Sequence, residues 1–407
     1  MSNAHRSLES ESSPEASPAL PVAEKPTSDE FTGVTPRRIR RLVAVVQSSL
    51  LLAHWFLYET WVAFHPALAP GTRVVLRIAL LLAAVSFVIV SLLAWRYFNP
   101  IVRFFYVFSA AWIGLMTFSV FAAALAWIVL GLIRLAGVQF AREAIADGLV
   151  GAALLVGCYG LVNAARIRVT PISIKLPNLP GSWHGRVAAL VSDTHLGHVR
   201  NIGFMRRLVA RLNQLRPDVV LIAGDMYDGT AAPVEALAKP WSALNVPLGA
   251  FFITGNHEEF TSRDKYLRAV SKAGVRVLNN EKVELEGLQL VGVHYRETVD
   301  PGQYRAILRG LAIAPERPSV LLVHAPHQLP IAEEAGISLQ LCGHTHGGQF
   351  PPGSWVASRV YGAYVHGLHR LGRMLVFTNW GAGTWGPPLR VGTHPEIVLL
   401  TFEASSL

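Results

Sequence analysis

The chain has 407 residues, more than one typical domain needs, and at 51% hydrophobic and 15% charged it is too apolar to be soluble throughout. Its two cysteines, Cys158 and Cys342, exclude a cysteine-based zinc site and argue against a disulfide framework. The net charge of +9 does not by itself imply nucleic acid. Many arginines flank apolar segments, no aromatic-and-basic stripe is present, and no nucleic-acid partner is expected.

Residues 1–36 are rich in Ser, Glu, Pro and Ala and almost lack aromatic residues, so they are expected to form a disordered tail. Residues 37–169 are expected to form a transmembrane region of four helices, at about 42–64, 74–95, 104–132 and 148–165. Crossing the hydrocarbon takes about 20 residues, and Trp61, Trp95, Tyr97 and Tyr106 stand at the flanks, where aromatic residues favour the membrane interface. Basic residues set the orientation. Arg37, Arg38, Arg40, Arg41, Arg96, Arg103, Arg166, Arg168 and Lys175 fall on one side, against Arg73, Arg77, Arg134 and Arg142 on the other. The richer side is expected in the cytoplasm. That makes a multi-pass protein of the cell (inner) membrane, in contact with its lipids, with a cytosolic carboxyl-terminal domain.

Residues 170–407 alternate apolar runs with helical spacing. Strands are expected at 186–192, 218–223 and 248–254, and helices at 204–215, 231–244 and 262–273. Further strands are expected at 276–278, 288–293, 320–323, 339–342, 374–378 and 396–402. The alternation predicts an α/β fold with a largely parallel central sheet. The later strands, with few helices between them, predict a second, mixed sheet. Ligands in such folds bind beyond the carboxyl ends of strands.

Five polar motifs stand at such ends: Asp193-Thr-His195, Gly224-Asp225, Gly255-Asn256-His257-Glu258, His324 and Gly343-His344-Thr345-His346. Asp193, Asp225, Asn256, His195, His324, His344 and His346 could together hold two metal ions, leaving His257 for proton transfer. A carboxylate has two oxygens with which to bridge two cations, and Asp225 is the candidate bridge. Asn256 offers a neutral oxygen. Mixed imidazole and carboxylate ligation suits Mn, Fe, Zn or Co better than Ca or Mg. Two such ions activate hydroxide for attack on phosphorus, so no protein nucleophile is needed. Asp228 and Glu258 are expected to support ligands or form turns. His198 and His327 lie close enough in sequence to line the site.

These five blocks resemble the pattern of the calcineurin-like metallophosphoesterases. The resemblance implies a two-sheet sandwich flanked by helices. It implies one metal on Asp193, His195, Asp225 and His346, a second on Asp225, Asn256, His324 and His344, and His257 acting on the leaving group. The wording Gly343-His-Thr-His-Gly-Gly-Gln349, with the later Asn379-Trp-Gly-Ala-Gly and Arg390, resembles the bacterial membrane-associated branch, which includes proteins similar to UDP-2,3-diacylglucosamine hydrolases. The expected function is that of a membrane-anchored phosphodiesterase or pyrophosphatase with a lipid-linked or envelope-related phosphoester substrate. A phosphomonoesterase or protein phosphatase is the alternative within the class. A membrane sensor whose phosphoesterase fold serves as a binding module is the alternative outside it.

Overall fold

The computed structural model describes residues 36–404, so the expected tail lies outside the described residues except for Pro36. Four long helices come first: α1 (Pro36–Phe64), α2 (Pro70–Arg96), α3 (Pro100–Leu135) and α4 (Arg142–Ala164). Each has the length and composition to cross a membrane. All begin before the apolar runs that predicted them. In α2 and α3 a proline opens the first turn, where its fixed φ suits a helix and its missing N–H costs nothing. Asn99 caps α3 by accepting from the Val102 amide. Between the helices, Trp112 Nε1 donates to His54 Nε2 at 2.9 Å, and Trp127 Nε1 to Thr60 Oγ1 at 2.9 Å. Such side-chain hydrogen bonds are favourable where water is scarce.

Three residues after α4 the chain enters β1 (Arg168–Leu176), so no flexible linker separates the helices from the first strand. The remaining elements, in chain order, are β2 (Val187–Val191), α5 (Ile202–Leu215), β3 (Val219–Ala223), α6 (Val234–Ala238), β4 (Ala250–Ile253), α7 (Arg263–Lys272), β5 (Arg276–Val277), β6 (Glu281–Leu285), β7 (Leu288–Gly292), α8 (Tyr295–Val299), α9 (Pro301–Gly310), β8 (Ser319–Leu322), α10 (Leu329–Glu334), β9 (Leu339–Cys342), α11 (Gly353–Tyr361), β10 (Gly367–Leu371), β11 (Met374–Thr378) and β12 (Glu396–Ala404).

The strands form two six-stranded sheets, ordered β1-β12-β2-β3-β4-β5 and β10-β11-β9-β8-β7-β6. In the first, β2 to β5 run parallel and β12 pairs antiparallel with β2. The second is mixed, with antiparallel pairs at its two edges. The central strands are buried on both faces, which is why their sequences read as unbroken apolar runs. Ala188, Leu190, Leu221, Phe251 and Ile253 pack between the sheets against Leu290, Leu322, Leu341 and Phe377. Ala189, Val191, Val220, Ile222 and Phe252 face the opposite way, onto α5 and α7. The outer face of the second sheet is covered by α9 and α10. The result is an α/β two-sheet sandwich with helices on both sides.

Three expectations change. The helix expected over 231–244 is only α6 followed by a 3-10 turn over Lys239–Ala243, because Pro240 breaks the α pattern. The second sheet is not short of helices: α8 and α9 link β7 to β8, and α10 links β8 to β9. And β1, which the apolar pattern did not predict, contains Pro171, a residue that suits its place at a sheet edge.

The helices grip the sandwich at the carboxyl ends of its strands. Asn163 Nδ2 donates to the carbonyls of Arg390 and Thr393 at 3.0 and 2.8 Å, and the Arg390 amide donates to Gly160 O at 3.0 Å. Arg200 donates to Ala164 O at 2.7 Å, and Arg103 Nε to His198 O at 3.0 Å. Gly160 lets α4 approach closely, since a β-carbon there would fall 2.8 Å from the Leu389 and Val391 side chains.

Candidate metal centre

The parallel strands aim the motifs at one point. β2, β3 and β4 end just before Asp193, Asp225 and Asn256, and β8 and β9 end just before His324 and His344. The two sheets therefore contribute from opposite sides. The loops are tied together by backbone hydrogen bonds: the Asp193 amide to Gly224 O at 3.0 Å, His195 to Asp225 O at 3.1 Å, and Gly343 to His324 O at 2.8 Å. Gly224, at φ +82°, is needed at its turn: a β-carbon would come 2.5 Å from the Gly255 amide and 2.8 Å from the His324 ring. Asp193, His195, Asp225, His344 and His346 also have positive φ, between 45° and 71°. Residues other than glycine rarely adopt this conformation, and it concentrates at functional sites.

All eight expected site residues meet. His195 Nε2 and His346 Nε2 are 2.9 Å apart, and Asp193 Oδ1 lies 3.5 Å from the latter. Facing them, His344 Nδ1 is 3.1 Å from His324 Nε2, which is 3.1 Å from Asn256 Oδ1. Asp225 Oδ2 stands between the groups, 3.8 Å from His195 Nε2 and 3.2 Å from His324 Nε2. Asp225 Oδ1 instead accepts the His257 amide at 2.9 Å. The bridge expected from two carboxylate oxygens thus has one oxygen facing both groups, because the other is committed to the backbone.

The donor set, mixed imidazole and carboxylate, fits divalent cations. Three overlapping clusters have ligand atoms within 4.8 Å of one another: Asp193, His195 and His346; His195, Asp225 and His257; and Asp225, His324 and His344. Burial pushes the His195 and His346 rings well below their usual pKa and His344 down to about 3, so all three are uncharged at neutral pH, with His346 Nδ1 accepting from Arg390 at 2.9 Å. Burial works against the charge on His324 too, but the Asp225 carboxylate raises it to about 9. Burial would lift Asp225, yet the facing His324 and His257 rings hold its carboxyl well below the usual range. Burial takes Asp193 up to about 6. His324 Nδ1–H donates to Ala223 O at 2.7 Å, which turns Nε2 toward Asp225, where a cation would replace its proton.

His257 belongs to the cluster with His195 and Asp225. Its Nδ1–H donates to Asp228 O at 3.0 Å, and its Nε2 points inward, 3.9 Å from Asp225 Oδ2. Glu258 acts on backbone alone. Its two oxygens accept the amides of Asp225, Tyr227 and Gly255 at 2.7–3.0 Å, clamping two motif loops together. Asp228 Oδ1 lies 3.7 Å from His195 Nδ1.

His198 does not line the site. Its Nε2 bonds to Tyr97 O at 3.1 Å and its ring packs against Phe98, in the turn between α2 and α3, and Tyr106 of α3. His327 sits behind Tyr295, which stacks at 6.0 Å on His344. Arg390, to which the sequence pattern assigns no role in the site, supports it from behind. Its buried guanidinium donates to the carbonyls of His346, Trp380 and Gly383 at 2.7–2.8 Å, fixing the loop that carries His346. An arginine inside a Pro- and Gly-rich stretch is the only signal for it in the sequence.

The model of the calcineurin-like phosphoesterase family matches residues 187–348. A zebrafish protein described as a transmembrane protein with metallophosphoesterase domain is 31% identical over 288 residues, 65% of each chain. An uncharacterised metallophosphoesterase of Campylobacter jejuni is 29% identical over 239 residues, 58% of this chain and 63% of its own. Another, from Aquifex aeolicus, is 30% identical over 260 residues, 62% of this chain and 97% of its own. The chain therefore spans less than two thirds of the first two relatives.

Proposed function

The chain belongs to the calcineurin-like metallophosphoesterases, and from that premise we propose that it is a membrane-anchored phosphoesterase, working with two divalent cations on phosphodiesters or pyrophosphates of lipid-linked or envelope-related molecules. The observation that carries the reading is the single Asp225 oxygen shared by two imidazole-rich groups. Asp193, His195, Asp225 and His346 would hold one cation, and Asp225, Asn256, His324 and His344 the other. The bound ions would supply Lewis acidity toward the phosphoryl oxygens and toward water.

The protein's own groups do the rest. Water attacks phosphorus in line with the leaving oxygen, and as that bond breaks the oxygen takes a proton from His257 Nε2. The Nδ1 bond to Asp228 O holds the ring in the orientation this needs. Glu258 and Arg390 keep the ligand loops in register. Four crossings by α1 to α4, with the arginine-rich ends inside, would put the catalytic domain on the cytoplasmic face.

Full-length protein loaded with Mn²⁺ should cleave bis-p-nitrophenyl phosphate faster than p-nitrophenyl phosphate, and Asp225→Ala should lose at least about a thousandfold. A reversed preference would make it a monoesterase. Bound metal without turnover on either compound would favour the binding-module reading.

A further inference from the structure

Helix α11 comes directly after the His344–Gln349 loop and carries an apolar surface the sandwich does not use. Trp355, Val356 and Val360 are 62%, 61% and 65% exposed, with Arg359 exposed beside them and only Ala357 buried. A short helix with aromatic and aliphatic residues and a snorkelling arginine on its free face suits the boundary between headgroups and acyl chains.

Its neighbour says what covers that face. Trp355 packs edge-on against Phe121 of α3, and Phe350 against Phe118, each pair 5.9 Å between ring centres. Phe121 lies eighteen residues beyond Arg103 and thirteen before Arg134, the charges that bracket the apolar stretch of α3. At 1.5 Å rise per residue that is about 27 and about 20 Å along the helix. Wherever the bilayer sits on α3, the point that Trp355 touches is inside it.

Resting on the membrane-anchored reading above, we propose that α11 is immersed in the leaflet beside the catalytic domain, and that the metal centre opens to the lipid phase, taking a phosphoester whose apolar chain stays in the leaflet. The link to the centre is short. Tyr361, at the end of α11, packs edge-on against His344 at 6.0 Å, and Thr345 Oγ1 donates to Val365 O at 2.8 Å. The opposite rim is apolar as well: Phe260 and Trp385 are 45% and 56% exposed and lie 4.6 and 5.9 Å from the His257 ring. Gln349 holds Trp385 through both its amide and its carbonyl, so this rim and the start of α11 form one unit. An acyl chain lying along α11 would place a phosphoryl group at the leaflet surface, where the ligands converge.

The test uses full-length protein carrying Cys158→Ser, reconstituted in phosphatidylcholine vesicles that contain doxyl-labelled lipid. The fluorescent label NBD is attached at Val356→Cys, at Ile128→Cys on the exposed face of α3, or at Glu284→Cys at the strand ends away from the metal centre. Label at 356 should be quenched nearly as strongly as at 128 and far more than at 284. Quenching at 356 no greater than at 284, with 128 quenched, would overturn the immersion of α11 and leave the anchored enzyme standing. Absence of quenching at 128 would overturn both. For substrate delivery, Val356→Asp should lower the ratio of vesicle-borne hexadecyl p-nitrophenyl phosphate hydrolysis to bis-p-nitrophenyl phosphate hydrolysis by about tenfold, because a charge resists insertion. An unchanged ratio would overturn the lipid-side entrance.

Discussion

His257 and His324 illustrate how surroundings, with the same hydrogen bond at Nδ1, separate two proposed roles for the same side chain. Each gives its Nδ1 proton to a backbone carbonyl, Asp228 O or Ala223 O, and each turns Nε2 inward. His324 Nε2 lies 3.1 Å from His344 Nδ1 within a ligand cluster. His257 stands against exposed Phe260 and Trp385 at the rim, where a leaving group would depart. His257→Asn should therefore keep the metal content but lower kcat by about 10²–10⁴. The loss should be greatest for alkyl esters, whose leaving oxygen needs the proton, and small for p-nitrophenyl esters. Equal losses on both, or loss of metal, would move His257 into the ligand set. The residue types at these positions stood out in the sequence because metal ligation would restrict them to His, Asp and Asn. Arg390 was not, because its contacts to His346, Trp380 and Gly383 exist only once separate loops have folded together.

At the level of elements, strand ends placed the site and strand edges escaped notice. β2, β3, β4, β8 and β9 are short, buried on both faces and free of proline, so composition alone marked them. β1 carries Pro171, and β10 is half exposed and reads Gly-Leu-His-Arg-Leu, so neither resembled a strand. α11 comes after Pro351-Pro352 and gains its meaning only from contact with α3, more than 200 residues earlier. β12 joins the two halves through Glu396. Its carboxylate accepts from the Thr170 hydroxyl at 2.7 Å and the Trp380 amide at 2.9 Å, and lies 3.1 Å from His366 Nε2. Burial would raise this carboxyl, but the His366 and Thr170 hydrogen bonds outweigh it and hold the group below its usual value. A depressed carboxylate stabilises above its unfolded pKa, near 4.3, and that contribution fades as pH falls through the lower folded value. The thermal midpoint should thus drop more steeply on acidification below about pH 4.5 in the parent than in Glu396→Gln, which should be less stable at pH 7 by about 1–3 kcal/mol. Parallel acid profiles would show that other groups govern the transition.

For the whole molecule, α4 runs into β1 within three residues and both α3 and α4 pack along the catalytic half, so the site is held in fixed register with the helices. Orientation then depends on the arginines. In intact cells carrying Cys158→Ser and Glu284→Cys, an impermeant maleimide should leave residue 284 unlabelled until the membrane is opened, whereas labelling from outside would place the catalytic half on the other face. The two halves share packing, with Val199 against Val90, Ala94 and Tyr106. The proposed ligands also hold backbone: Asp225 accepts the His257 amide and Asp193 the His344 amide. Five of the ligands occupy backbone conformations that glycine would accept with less strain. A lineage that stopped needing turnover would shed backbone strain by drifting to glycine at Asp193, but would take a hydrogen-bond partner from the buried Ser192 hydroxyl and from the His344 amide. Strain favours the loss of such side chains, and hydrogen bonds to backbone favour their retention even where the reaction is not selected.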